Sequence, residues 1–199
     1  FCTIIKKEKQ MNKLYFKYGA MGSSKTAQAL MCRFNYIQKG FNVLLAKPCV
    51  DTRSSKVTSR IGLSADCETF STQDNLVDFF NKFNEKRKID VFIIDEAQFL
   101  TKEQVNELKE LTIFIPVLCY GLLTNFKTEL FEGSKRLVEL SDSLMEIKSV
   151  CKCGRKATIN ARFVNGKITT EGKEVEIGAD EMYEGMCYNC FIKELSKIK

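Results

Sequence analysis

The sequence predicts an α/β fold: a parallel sheet crossed by helices and carrying a phosphate-type loop, followed by a small β module. Three observations carry that prediction. Apolar strand-like runs alternate with amphipathic helical stretches as far as residue 149, the pattern of crossover-linked parallel strands. The segment "YGAMGSSKT" (18–26) stands between the first strand and the first helix, where backbone N–H groups can converge on an anion. After residue 149 the texture changes to closely paired cysteines and a hairpin signal. The expected division is therefore 11–149 as the P-loop α/β domain and 150–191 as the second module. Residues 1–10 read as an upstream extension or tag remnant, and 192–199 as a C-terminal tail.

"KLYFKYGA" alternates apolar and polar residues and reads as a strand running into the loop. In "TAQALMCRFNYIQK", Ala27, Leu30, Met31, Phe34 and Ile37 recur at helical spacing, and Gly40 ends the helix as a left-handed C-cap. "NVLLAKP" is a short apolar strand, and the polar "DTRSSKVTSRIGLSADCE" is expected to be an irregular, mobile loop. "DNLVDFFNKFNEKRK" sets Leu76, Phe79, Phe80 and Phe83 on one helical face. "DVFIID" is an unbroken apolar run ending in acids, as a strand buried on both faces should be. Thr101 and Gln104 spell a capping box opening "KEQVNELKEL", and "IPVLCYG" is a further buried strand. In the second module, Asn165-Gly166 marks a tight hairpin.

A chain of 199 residues with 44% hydrophobic and 28% charged residues has room for one α/β domain and an appendage. No apolar run is long enough to cross a bilayer, and "FCTIIKKEKQ" lacks a signal-peptide pattern, so no membrane partner is expected. The net charge of +6 comes from scattered residues, which suit a solvated surface or an anionic nucleotide. A nucleic-acid footprint would need them clustered. Five of nine cysteines (Cys2, Cys32, Cys49, Cys67 and Cys119) stand alone and are expected to act as small apolar residues. An odd total argues against a disulfide framework and for a reducing, cytoplasmic setting.

The loop matches Gly, four residues, Gly, Lys, Ser/Thr except at one place: Ser24 stands where the second glycine is usual. On its own that leaves a phosphate loop and a chance match equally open. "VFIIDEAQF" decides between them. An apolar strand ending in Asp95 is the metal-facing half of the same apparatus, and both lie at the sheet edge where α/β folds bind ligands. Lys25 would then reach phosphates and the Thr26 hydroxyl Mg²⁺. Glu96 reads either as a general base or as an outer partner of the metal. Cys151 and Cys153, with Cys187 and Cys190, could supply four thiolates to a structural Zn²⁺, the alternative being free surface thiols.

Six ordered blocks together resemble the type II thymidine kinases of bacteria, phages and animals over roughly residues 12–191. They are "YFKYGAMGSSKT", "DTRSSKVTSRIGLS", "DEAQFL", "CYGLLTNFKTELFEGS", "CKCGRKA" and "IGADEMYEGMC". The resemblance implies a RecA-like core with a zinc-bound lasso domain. It implies transfer of the γ-phosphate of ATP, with Mg²⁺, to the 5′-hydroxyl of thymidine or deoxyuridine, giving dTMP for pyrimidine salvage. It also implies a cytoplasmic homotetramer inhibited by dTTP.

On matching positions, Gly19, Ala20, Met21, Gly22, Ser23, Ser24, Lys25 and Thr26 would cradle ATP, with Asp95 and Asp51 toward the metal and phosphates. Glu96 would be the base, and Arg53 would offset developing charge. Met21, Phe99, Leu122, Phe126 and Phe131 would line the thymine pocket, although each aromatic could simply be core. The "EVEIGADEMY" loop would read the base through Val175, Glu176, Ile177, Gly178 and Tyr183. The segment around Leu122–Phe131 resembles the family's lid, and the sequence departs from the family there at Leu123 and Asn125, at Ser24, and in the one-residue gap of the first cysteine pair. A rival reading is a nucleic-acid-dependent P-loop ATPase with a zinc ribbon, since "DEAQ" resembles a helicase block. Such helicases usually need two α/β domains. A third is a non-catalytic nucleotide sensor, which Glu96 argues against.

Overall fold

In the computed structural model, residues 12–49, 55–172 and 181–197 are described. The expectations for Asp51, Arg53, Val175, Glu176, Ile177 and Gly178 lie outside the described residues.

The chain runs β1 (Leu14–Tyr18), α1 (Lys25–Gln38), β2 (Val43–Pro48), β3 (Lys56–Thr58), β4 (Ser64–Asp66), β5 (Glu68–Phe70) and α2 (Leu76–Asn84). It continues through β6 (Val91–Ile94), a 3₁₀ turn (Ala97–Phe99), α3 (Lys102–Leu111), β7 (Val117–Gly121), α4 (Glu132–Leu140) and β8 (Ser143–Glu146). The remainder is β9 (Ser149–Val150), β10 (Lys156–Ala157), β11 (Ile159–Val164), β12 (Lys167–Thr169), β13 (Glu181–Met186) and α5 (Tyr188–Leu195).

Six strands form one parallel sheet in the order β5-β2-β6-β7-β1-β8. Side chains alternate across it. Phe92 and Ile94 join one core with Leu76, Phe80, Val105, Leu108 and Leu137, under α2, α3 and α4. Val91 and Ile93 join a second with Ala29, Leu30 and Val57, under α1 and β3. Parallel pairing aims the C-terminal ends of β1, β6 and β7 at one edge, and Gly19 N–H donates to Gly121 O there (3.3 Å).

The sequence logic of the caps is visible. Thr101 and Gln104 make the reciprocal capping box on α3. Gly40, at φ 82°, turns the chain out of α1. Two elements differ from expectation. The polar stretch after residue 54 forms the β3–β4 hairpin and edge strand β5, because Val57, Cys67 and Phe70 have a core to reach. On α1, the helix seats itself through Ala27, Ala29 and Leu30, small enough for close approach to the sheet. Met31, Phe34 and Ile37 stay 53%, 58% and 42% exposed. Cys49 also departs from the apolar role, being exposed, while Cys67 and Cys119 are buried.

After β8, strand β11 pairs antiparallel with β12 and β13, and Asn165 and Gly166 take the positive φ values (50° and 72°) of a tight hairpin turn. Its core of Ala157, Ala161, Ile168, Met186 and Phe191 includes Ala20 of the P-loop. The small sheet therefore packs directly on the phosphate loop. No helix among the described residues is long and apolar enough to cross a membrane.

Candidate active site

The loop after β1 is built by close contact. A Cβ on Gly19 would lie 2.3 Å from Ile147 O and 2.5 Å from Ser23 Oγ, so only glycine lets β8's continuation pass. Ser24 caps α1 at φ 61°, in the left-handed region. The usual glycine at this position is thus explained by backbone conformation; Ser24 itself is exposed. Glu96 adopts φ 54°, also left-handed. Strained non-glycine residues on both sides of one cleft are a mark of function.

Lys25 is half-buried, and its ammonium donates to Gly19 O (3.1 Å), Ala20 O (3.0 Å) and Ser23 Oγ (3.4 Å). Burial lowers its pKa to about 8, against the opposing pull of Glu96 and Asp95. Asp95 is 4% exposed. Burial, and then the neighbouring Glu96 charge, push its carboxyl well above the usual range, while a Thr26 hydrogen bond holds it down. The Asp95 carboxylate and the Thr26 hydroxyl offer oxygen ligands to a hard divalent cation, and the Lys25 ammonium offers a site for an anion beside them.

Two cavities meet at this edge. One, of about 330 Å³, is lined by Gly22, Ser24, Lys25, Thr26, Ser59 and Arg60. The other, of about 230 Å³, is walled by Phe99, Phe126, Phe131, Thr124, Asn160 and Tyr183. Met21, Glu96 and Leu122 line both. The expected residues Met21, Phe99, Leu122, Phe126, Phe131 and Tyr183 are thus brought together. Phe126 and Phe131 serve core and wall at once, at 2% and 5% exposure.

The Leu122–Phe131 segment, the expected lid, has its own frame. Asn125 Oδ1 accepts from Lys127 N (2.9 Å) and Glu129 N (3.0 Å), closing the turn, and Leu123 packs on the main core. Leu122 is held at both ends of its backbone: its N–H donates to Gln98 Oε1 (3.0 Å) and its carbonyl accepts from Ser134 Oγ (2.6 Å).

Sequence reasoning missed Arg60, Gln98, Asn160 and Gly185. Asn160, on β11, accepts from Met21 N (2.8 Å) and donates from Nδ2 to Thr124 O (2.6 Å). From β13, Gly185 lies so close that a Cβ there would sit 2.6 Å from Met21 O. The small sheet thereby grips both sides of one P-loop residue. Gln98, Arg60 and Gly185 each lie inside a block that carries the resemblance, "DEAQFL", "DTRSSKVTSRIGLS" and "IGADEMYEGMC", while Asn160 lies in none.

The sulphurs of Cys151, Cys153, Cys187 and Cys190 all lie within 4.8 Å of one another. Cys153 and Cys187 are 3.5 Å apart. A tetrahedral ion with Zn–S bonds near 2.3 Å needs sulphurs about 3.8 Å apart, so the four fit zinc. None is in a disulfide. Backbone N–H groups of Cys153 and then Cys187 lower the Cys151 thiol, while the neighbouring sulphurs raise that of Cys190, as expected where four thiols crowd one point.

The thymidine kinase family profile matches residues 12–191. The chain is 42% identical over 186 residues to a thymidine kinase of Shewanella oneidensis, covering 91% of this chain and 97% of that one. It is 44% identical to one of Zymomonas mobilis (94% and 100%) and 45% identical to one of Legionella pneumophila (89% and 88%). Among solved structures, a Pif1 helicase from Candida albicans aligns over 70% of this chain and 36% of its own, at 14% identity and TM-score 0.41, too weak a likeness to argue from.

Proposed function

The chain belongs to the thymidine kinase family, and on that premise we propose that it transfers the γ-phosphate of ATP to the 5′-hydroxyl of thymidine, and of deoxyuridine, for nucleotide salvage. One observation carries the division of labour: a polar cavity holding Lys25 and Thr26 and an aromatic cavity share Glu96.

Thymidine would lie between Phe99, Phe126, Phe131 and Tyr183, its 5′-oxygen toward Glu96. ATP would bring its triphosphate to the loop from Gly19 to Thr26, where Lys25 exchanges carbonyl partners for phosphate oxygens. Glu96 takes the 5′-hydroxyl proton as the new O–P bond forms and the bond to the β-phosphate oxygen breaks, leaving ADP. Mg²⁺, held by Thr26 and Asp95, would neutralise charge on the phosphates. Arg60, at the rim of the polar cavity, is a further cation near them; Asp51 and Arg53 keep the roles implied by the resemblance.

The four cysteines would hold one structural Zn²⁺, and metal analysis of the purified protein should return one zinc per chain. The exposed Met31, Phe34 and Ile37 support burial of α1 against another copy, in keeping with a homotetramer. Feedback by dTTP and a cytoplasmic location complete the proposal. The test is labelled ATP with thymidine and no nucleic acid. Label on thymidine is expected; phosphate release only with DNA or RNA would favour the ATPase reading instead.

A further inference from the structure

Glu96 stands on a left-handed backbone at the junction of two cavities, yet its carboxylate has to point at one oxygen. What aims it is Gln98. This side chain is 2% exposed. Its Nε2 donates to Glu96 Oε2 at 2.6 Å, and its Oε1 accepts from the Leu122 N–H at 3.0 Å. The two contacts fix the amide independently and in the same sense. A backbone N–H can only face the oxygen, and a carboxylate only the NH₂.

The turn carrying Gln98 is clamped. A Cβ on Gly121 would lie 2.8 Å from Gln98 Oε1 and 2.9 Å from its N, and one on Gly133 would lie 2.5 Å from Leu100 O and 2.9 Å from Ala97 O. β7 and α4 therefore close on it from two sides, with glycine at each approach. Leu122 opens the lid segment and lines both cavities.

We propose that Gln98 is a positioning residue, an amide bridge that locks one oxygen of Glu96 and ties the base to the start of the lid. The other oxygen, Oε1, is left for the substrate hydroxyl. The geometry gives a reason for a buried amide here: a donor is needed toward the acid and an acceptor toward the backbone, and no apolar or singly functional side chain of this length offers both.

The inference rests on Glu96 being the base, so the experiment carries Glu96→Gln as its control. Gln98→Met keeps the length without polar atoms, and Gln98→Leu removes the same donor and acceptor with a different shape. Steady-state kinetics, thymidine titration and melting temperature are measured on the full chain for each. Both Gln98 variants are expected to lose roughly 10–100-fold in kcat, the size typical of removing the outer hydrogen-bond partner of a working group. Thymidine KM and Kd should stay within about threefold, and Gln98→Met should add little on the Glu96→Gln background.

Turnover within about threefold of the native protein in a folded Gln98→Met or Gln98→Leu would overturn the proposal. So would equal changes in KM and kcat accompanied by a lower melting temperature, which would make the residue merely structural. If Gln98→Met does not fold, Gln98→Leu decides. Unchanged turnover in Glu96→Gln would instead remove the base assignment itself.

Discussion

The two cavities that meet at Glu96 are built in opposite ways. The polar one is mostly a single stretch of chain, Met21 to Ala27, shaped by backbone: positive φ at Gly22 and Ser24, the start of α1, and one lysine folded over the loop carbonyls. The aromatic one takes Met21 from the loop, Phe99 from the 3₁₀ turn, Phe126 and Phe131 from the lid, Asn160 from β11 and Tyr183 from β13. A phosphate asks for converging N–H groups, which neighbours in sequence can supply. A flat apolar base asks for walls, which have to come from several directions. One half should therefore respond to local backbone chemistry and the other to long-range packing.

Substitution at the shared residue should have the largest effect. Glu96→Gln is expected to lower turnover by ~10²–10⁴-fold while thymidine affinity by titration hardly changes. A parallel collapse of binding would mean that the cavities are not separable.

Phe126→Ala strikes only the aromatic half. It should cost about 3–5 kcal/mol of stability in denaturant titration and raise thymidine KM roughly tenfold or more, leaving the KM for ATP alone. If the KM for ATP rises equally, the division by construction is wrong.

The polar half should show itself in pH. Burial holds Lys25 near 8, so kcat/KM for ATP, which reports the free enzyme, should fall as pH rises through about 8. At saturating ATP the triphosphate charge keeps the lysine protonated, and kcat should stay level to higher pH. Unfolding would not mimic this. Between about 8 and the ordinary lysine value of 10.5 the unfolded chain holds the proton that the folded one has lost, so the Lys25 contribution to stability rises with pH.

Smallest of all, Ser24→Gly relieves a left-handed serine and should stabilise the fold by up to about 1 kcal/mol, with a modest drop in the KM for ATP. An unchanged KM would confine the effect of Ser24 to folding.

The same contrast decides what could be read from the chain before its fold was known. The P-loop and "VFIIDE" are contiguous, and local pattern exposes them. Paired cysteines announced themselves through a rare residue type at short spacing, although their approach to within 4.8 Å is a tertiary fact. Asn160 carried no local sign, and Gly185, though inside the last resembling block, gave none of its approach to Met21, because each matters only for how close it comes to that residue. The α1 stripe held in part: Ala27 and Leu30 are buried, but Met31, Phe34 and Ile37 are not, because the helix sets Ala29, Cys32 and Tyr36 against the sheet core instead. For the polar run at 56–70, three core residues spaced along a charged segment were too sparse to outweigh its composition.

At position 96 the main chain sits where an L-amino acid other than glycine pays a conformational penalty, on the order of 1–2 kcal/mol. On the role proposed for Glu96, heat tolerance and turnover therefore pull that position in opposite directions. A library sorted only for survival at high temperature should drift there toward glycine or asparagine, yielding hardier proteins that no longer phosphorylate anything, so any stabilisation campaign has to screen on product formed.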